Sequence, residues 1–297
     1  DNNTILGYGA MDDMVEGDDN VAIGMNALGG ALDATADASA GNIAIGKAAM
    51  GGAWVSATSE YNVAIGHQAL DDALAGSNYN VAIGRRACTM LTSGDSNIAI
   101  GADALYSSTD VDKCIIIGAD AAQAVMTADA DATIAIGFSS LSVLTSGQAC
   151  IAIGNESLNE NTIGDSNIAI GFNAMLETGA FQNDNNIAIG SSNPDGSLLG
   201  AMGGDWVTAA SSNNVAIGTG SMTGDMNALN NTCIGKDSDT SAVSSSNQTV
   251  IGYAVTGQAD NSVTLGNDAV TNVYIAEDSG ARFTIGTGGA VTMPNQP

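Results

Sequence analysis

Asn80-Val81-Ala82-Ile83-Gly84 and Asn97-Ile98-Ala99-Ile100-Gly101 are two copies of the unit that decides the fold of this chain. Six more full copies end at Gly24, Gly46, Gly66, Gly171, Gly190 and Gly218, and looser ones end at Gly7, Gly118, Gly137, Gly154, Gly235, Gly252 and Gly266. The glycines most often stand 17 residues apart, and the widest gap, 28, separates Gly190 from Gly218. A fixed unit with occasional insertions marks a solenoid, in which each repeat is one coil that buries its apolar side only against its neighbours. The expected fold is all-β: a parallel β-solenoid or β-roll of about 15 coils over residues 1–266, assembled as an elongated homotrimer. Residues 267–297 read as a neck leading to a further domain, so the chain is expected to be a piece of a longer protein.

Inside the unit the branched residues alternate with Ala, a period of two that argues for a short strand. Large β-branched residues are expected inside the coil and Ala on the opposite face. That face is nearly always Ala: Ala22, Ala44, Ala64, Ala82, Ala99, Ala169, Ala188 and Ala216. A solvent-facing strand position would drift towards Thr, Lys or Glu, so something packs closely there. The leading expectation is another copy of the chain about a shared trimer axis; the other is a second apolar layer within the same coil. The Asn column is expected to hydrogen-bond up and down the stack, and Gly supplies the freedom of a sharp corner.

After each Gly, Ala or Ser stands three residues on and Leu or Met four on, as in Ala69-Leu70 and Ala104-Leu105, with a further apolar residue near position seven, such as Leu91 or Leu144. Offsets of 0, 3, 4 and 7 are helical, so a single helical turn is expected there. Turns such as Gly94-Asp-Ser-Asn97 close the coil. A Ca²⁺ site is the sharper reading of their aspartates, but the spacing of an EF-hand or calcium β-roll is missing, and solvated turns are favoured.

The chain holds 6 Lys plus Arg against 32 Asp plus Glu, a net charge of −26. Such a surface repels phosphates and anionic headgroups, so neither nucleic acid nor membrane insertion is expected. No run of about 18 apolar residues is present. The four cysteines stand in different coils as small apolar substitutes, and His67 is alone, so no metal, cofactor or catalytic set is expected. The insertions carry both tryptophans. Trp54 with Tyr61, and Trp206 with Asp205, are the candidate ligand-contact loops, because solenoid insertions often protrude on the binding face. The other reading has each Trp fold back to cap its own loop.

The Asn-x-Ala-Ile-Gly-x-x-Ala-Leu unit with its Gly/Asp/Ser/Asn turn resembles the repeats of bacteriophage tail fibres and fibre-like proteins. It is also similar to the heads of trimeric autotransporter adhesins, although the 17-residue period and the Ala-Leu half-coil depart from the 14-residue adhesin unit. The resemblance implies a non-enzymatic virion structural protein, a trimeric fibre or spike segment serving as a rigid shaft or head for host attachment. Its partners would be itself, other virion proteins and a host-surface glycan or protein, and its place the virion surface. The alternatives are the head of a bacterial surface adhesin, on the cell surface, and a glycan-cleaving tailspike.

Overall fold

Among the described residues fifteen three-residue strands, one per repeat, stack in sequence order into a single parallel sheet from Thr4–Leu6 to Val263–Leu265. The computed structural model describes residues 2–14, 16–30, 38–54, 57–72, 74–176, 183–192, 200–203, 211–224 and 227–271. Each strand pairs only with the strands of the adjacent coils, and like meets like: Val63 faces Val81, Ala64 faces Ala82, Ile65 faces Ile83. At about 4.8 Å per coil the sheet is about 70 Å long. The expected all-β parallel solenoid is the architecture observed.

The Gly corner is required twice over. Gly66 has φ +140°, and a Cβ there would lie 2.3 Å from the carbonyl oxygen of Gly84 in the next coil. The same close approach recurs at Gly84 against Gly101. No side chain fits that column, which explains why Gly ends every unit.

The expected helical turn is replaced by something else. Among the described residues the only complete helical element is a 3₁₀ turn at Ala128–Ala130. After the Gly corner the backbone enters the left-handed region at positions two and four, as at Gln68 (φ 57°) and Leu70 (φ 52°), or Arg86 (φ 57°) and Cys88 (φ 51°). Left-handed φ costs a non-glycine residue about 1 kcal/mol or more. The coil stack offsets this with hydrogen bonds in both directions: Gln68 N–H donates to Lys47 O in the coil before, at 3.0 Å, and Leu70 N–H to Ala87 O in the coil after, at 2.9 Å. Offsets of three and four bury the Ala-Leu pair as a helix would, but the Leu donor is satisfied between coils, and the Ala donor makes only a long bond back along the chain, Ala69 N–H to Gly66 O at 3.4 Å.

The interior runs between the strand wall and this Ala-Leu wall. Ala22, Ala44, Ala64, Ala82, Ala99, Ala169, Ala188 and Ala216 are all fully buried within one chain. The expectation of Ala facing a neighbouring copy is therefore corrected, and so is that of the branched residues inside. Ala points into the coil, and Val or Ile on either side of it stands half-exposed on the outer face. The coil is thin, and Leu or Met from the opposite wall fills most of it. A methyl fits beneath such a side chain; an Ile does not. One coil confirms this by exception: Ile116 holds the Ala slot, fully buried, and there the Leu slot has shrunk to Ala122.

The outer sheet face as candidate functional site

The buried Asn column is the backbone of the site. Asn80 Oδ1 accepts from the Asn97 N–H at 2.8 Å and from Asn97 Nδ2 at 3.0 Å, while Asn80 Nδ2 donates to Gly94 O at 2.8 Å. The pattern repeats between Asn42 and Asn62 and, past a gap, between Asn186, Asn214 and Asn231. Within this column the buried amides both donate and accept between coils, which holds successive strands in one register. The expected ladder is present. In the gap the slot holds Cys114, Thr133 and Cys150. All four described cysteines are free thiols. Burial pushes the Cys114 and Cys150 thiols up to about 11, against lowering by the backbone N–H groups of Thr133 and Asn167.

A second column lies at the closing turns. Asp95 Oδ1 accepts from the Asn78 N–H at 2.6 Å, Asp112 from Asp95 N–H at 2.7 Å, and Asp131 from Asp112 N–H at 2.7 Å. These aspartates bond backbone between coils. Among the described residues no group of three His, Cys, Asp or Glu is placed to hold a metal ion. The sequence pattern flagged these turns without revealing the ladder; the recurrence of Asp two residues before the Asn slot was the available signal.

Ladders fix the strands, and the strands present one continuous outer face. In each coil four side chains point outward: the residue before the Asn slot, the first and third strand residues, and the residue after Gly. In the fourth coil these are Tyr61, Val63, Ile65 and His67; in the fifth, Tyr79, Val81, Ile83 and Arg85. The middle two columns are Ile or Val in nearly every coil, giving way to Thr in the first, thirteenth and fourteenth and to Leu at both ends. Over all fifteen coils these four columns contain one acidic residue, Asp19, although the chain has 32. They also contain four of the chain's 6 Lys and Arg: Lys47, Arg85, Lys113 and Lys236. The acid lies elsewhere on the molecule.

The two rims differ in chemistry. On the rim before the strands, Tyr61 and Tyr79 are 52% and 61% exposed and stack with ring centroids 5.4 Å apart and planes 12° from parallel. Tyr61 also leans over the preceding coil, where a Cβ on Gly41 would meet its ring at 2.7 Å. On the rim after the strands, Lys47, His67 and Arg85 follow one another in successive coils, and all three are exposed. Arg85 reaches Asp103, and Arg86 Nε lies 2.6 Å from Asp103 Oδ1, an ion pair out of hydrogen-bond alignment. The Arg86 guanidinium also sits 4.7 Å above the Tyr106 ring.

Of the candidate contact residues, Tyr61 is exposed as a contact would be. Trp54 is not: it is fully buried, and its Nε1–H donates to Met50 O at 3.3 Å. It stands eight residues after Gly46, the slot that Leu74 fills after Gly66, so it is core. Counting from the Gly would have revealed this. Trp206 and Asp205 lie outside the described residues. Neither a scan of protein-family models nor a search of curated proteins finds a match to the chain.

Proposed function

We propose that this chain is a rigid shaft segment of a trimeric attachment fibre on a virus particle, three copies packing with their outer sheet faces turned to a common axis. The observation that carries the reading is the distribution of charge. Copies of a chain at −26 repel one another, and the one surface cleared of acid is also the one lined end to end with Ile and Val. A face about 70 Å long and at most about 20 Å between its rims offers up to about 1,400 Å² per copy, against the roughly 800 Å² per partner of a stable interface. Exposed apolar patches of this size mark interaction surfaces. Another copy fits best, because its Ile and Val repeat at the same interval and stay in step over the full length.

A parallel ladder of coils resists bending, and an acidic exterior resists sticking to other fibres. Both suit a spacer that carries a recognition element away from a particle. The test has two arms. Sedimentation of the purified chain is expected to give three times the 29.4 kDa chain mass, and Ile100→Glu with Ile170→Glu is expected to give monomers that keep their β circular dichroism. Immunogold labelling of virions with antibody to the chain is expected to decorate projecting fibres; decoration of bacterial cell surfaces in uninfected cultures would move the protein to the adhesin class.

A further inference from the structure

We infer that the two unlike rims form the seam between neighbouring copies, with Tyr61 and Tyr79 of one copy set against Lys47, His67 and Arg85 of the next. This rests on the reading of the outer face as the interface between copies, and adds what closes that interface and fixes its register.

The middle of the face cannot fix register. Its Ile and Val columns are nearly the same in successive coils, so sliding one copy by one coil, about 4.8 Å, changes few of their contacts. Uniform faces are weakly specified in this way. A closed ring of identical contacts joins unlike patches and admits no rise from copy to copy, since a rise generates an open helical filament. In such a ring the end of each strand approaches the start of the neighbour's strand at the same level. The rim after Gly of one copy then meets the rim before Asn of the next, coil against coil.

At that level the side chains are matched. The third, fourth and fifth coils carry three cationic or ionisable groups in succession on one rim, with Gln68 N–H bonded to Lys47 O and Arg86 N–H to His67 O holding their spacing. The fourth and fifth coils carry the stacked tyrosines on the other rim, where the third has Gly41, and among the described residues no other coil has an aromatic residue there. The phenol oxygens accept hydrogen bonds from Lys and His. The far face of Tyr79 has only the small Ser96 in the next coil of its column, and a planar guanidinium stacks on such a ring. Arg85 already neutralises Asp103 with one nitrogen, which leaves its plane available. Bulk is matched elsewhere too: Phe138 is opposite Ala132, and Phe172 is opposite Ser166.

The experiment is Tyr79→Cys with Arg85→Cys in one chain. The two positions lie six residues apart, at most about 20 Å, on either side of the three-residue strand Val81–Ile83, too far for a bridge within one copy. The four native cysteines are fully buried and do not compete. Mild oxidation is expected to convert most of the protein into covalent dimers and trimers on a non-reducing gel, reversed by reductant. Ala132→Cys with Phe138→Cys is expected to do the same at a second level, and Ser96→Cys with Phe138→Cys, two coils out of step, to stay monomeric. If both in-step pairs remain monomeric on the gel while the oxidised protein sediments as a trimer, the seam is wrong and the interface reading survives. If the unmodified protein sediments as a monomer, the interface reading falls and the seam with it.

Discussion

Two stretches of the rod solve the same problem with different chemistry. From Asn20 to Asn97, and again from Asn167 to Asn231, the slot before each strand holds a buried Asn whose amide bridges to the next coil. Between them, at Cys114, Thr133 and Cys150, the amide is absent, yet strand register is unbroken: Ile115 pairs with Ile134, and Ile134 with Ile151. There the thiols act as weak donors, Cys114 Sγ–H to Ala130 O at 3.7 Å and Cys150 Sγ–H to Gly164 O at 3.1 Å, and the Thr133 hydroxyl is buried without a partner. The lesson is that the Asn ladder tightens a register that backbone pairing and core volume already set.

If so, removing one rung from a ladder stretch costs more than any change in the gap. Asn80→Leu deprives the Asn97 N–H and one hydrogen of Asn97 Nδ2 of their buried acceptor, while the Gly94 carbonyl keeps the Ser77 hydroxyl. At about 1–3 kcal/mol for each orphaned group, the loss is expected to be about 4 kcal/mol, read by denaturant unfolding. Local hydrogen exchange should rise first at Ile98 and Val81. A loss below about 1 kcal/mol would show that the amides contribute little beyond filling space.

The gap is held by packing, so it is expected to be sensitive to volume. Ile116→Ala removes the one fully buried isoleucine in the Ala column and is expected to cost about 3 kcal/mol, within the usual range for a buried Ile. Adding Ala122→Leu is expected to recover most of that loss, because it recreates the Ala-and-Leu pairing of the neighbouring coils. No recovery in the double variant would mean that the two positions do not share one space.

Much of this was legible in the sequence, and the failures have a common cause. Strand, Gly corner and Asn ladder each follow from a local rule applied to one residue type in one slot. A period of two, however, says only that a strand has two faces; it does not say which is inside. Residue size pointed the wrong way because the coil is too thin to hold Ile opposite Leu, a fact about the whole cross-section. Leu70 and Cys88 mimic a helix in spacing while sitting at left-handed φ, a conformation that only the next coil's carbonyl makes worthwhile. Trp54 was assigned to a protruding loop by its neighbours in sequence and to the core by its distance from Gly46. The rims, where one copy would meet another, are the least repetitive columns, and no rule for a single chain ranks them.

The gap also contributes to the rod's sensitivity to alkali, beside Cys88, whose thiol burial raises further. Burial holds the Cys114 and Cys150 thiols at about 11, above the ordinary 9.0 of a free thiol. The unfolded chain therefore gives up these protons first. The contribution is fully present below about pH 9 and is lost as pH rises through about 11. Unfolding midpoints are expected to fall across that window, and to fall less in Cys114→Ala with Cys150→Ala. Equal slopes in the two proteins would assign the alkaline loss to other groups.

The smallest expected effect is a gain. Thr133→Asn inserts an amide between Cys114 and Cys150, in a slot whose hydroxyl is buried and unpaired. Its Nδ2 would meet a carbonyl of the following turn, as Asn97 Nδ2 meets Val111 O at 2.7 Å, and its Oδ1 would receive the Cys150 N–H. One new buried hydrogen bond is worth about 1 kcal/mol net, and relief of the orphaned hydroxyl adds to it. The midpoint of thermal unfolding is expected to rise by a few degrees. The rise should vanish when Cys150→Pro removes the N–H that the new oxygen would accept, measured against Cys150→Pro alone. If Thr133→Asn destabilises the chain, the gap is a place where the coil is too narrow for an amide, and Cys and Thr stand there because of their size.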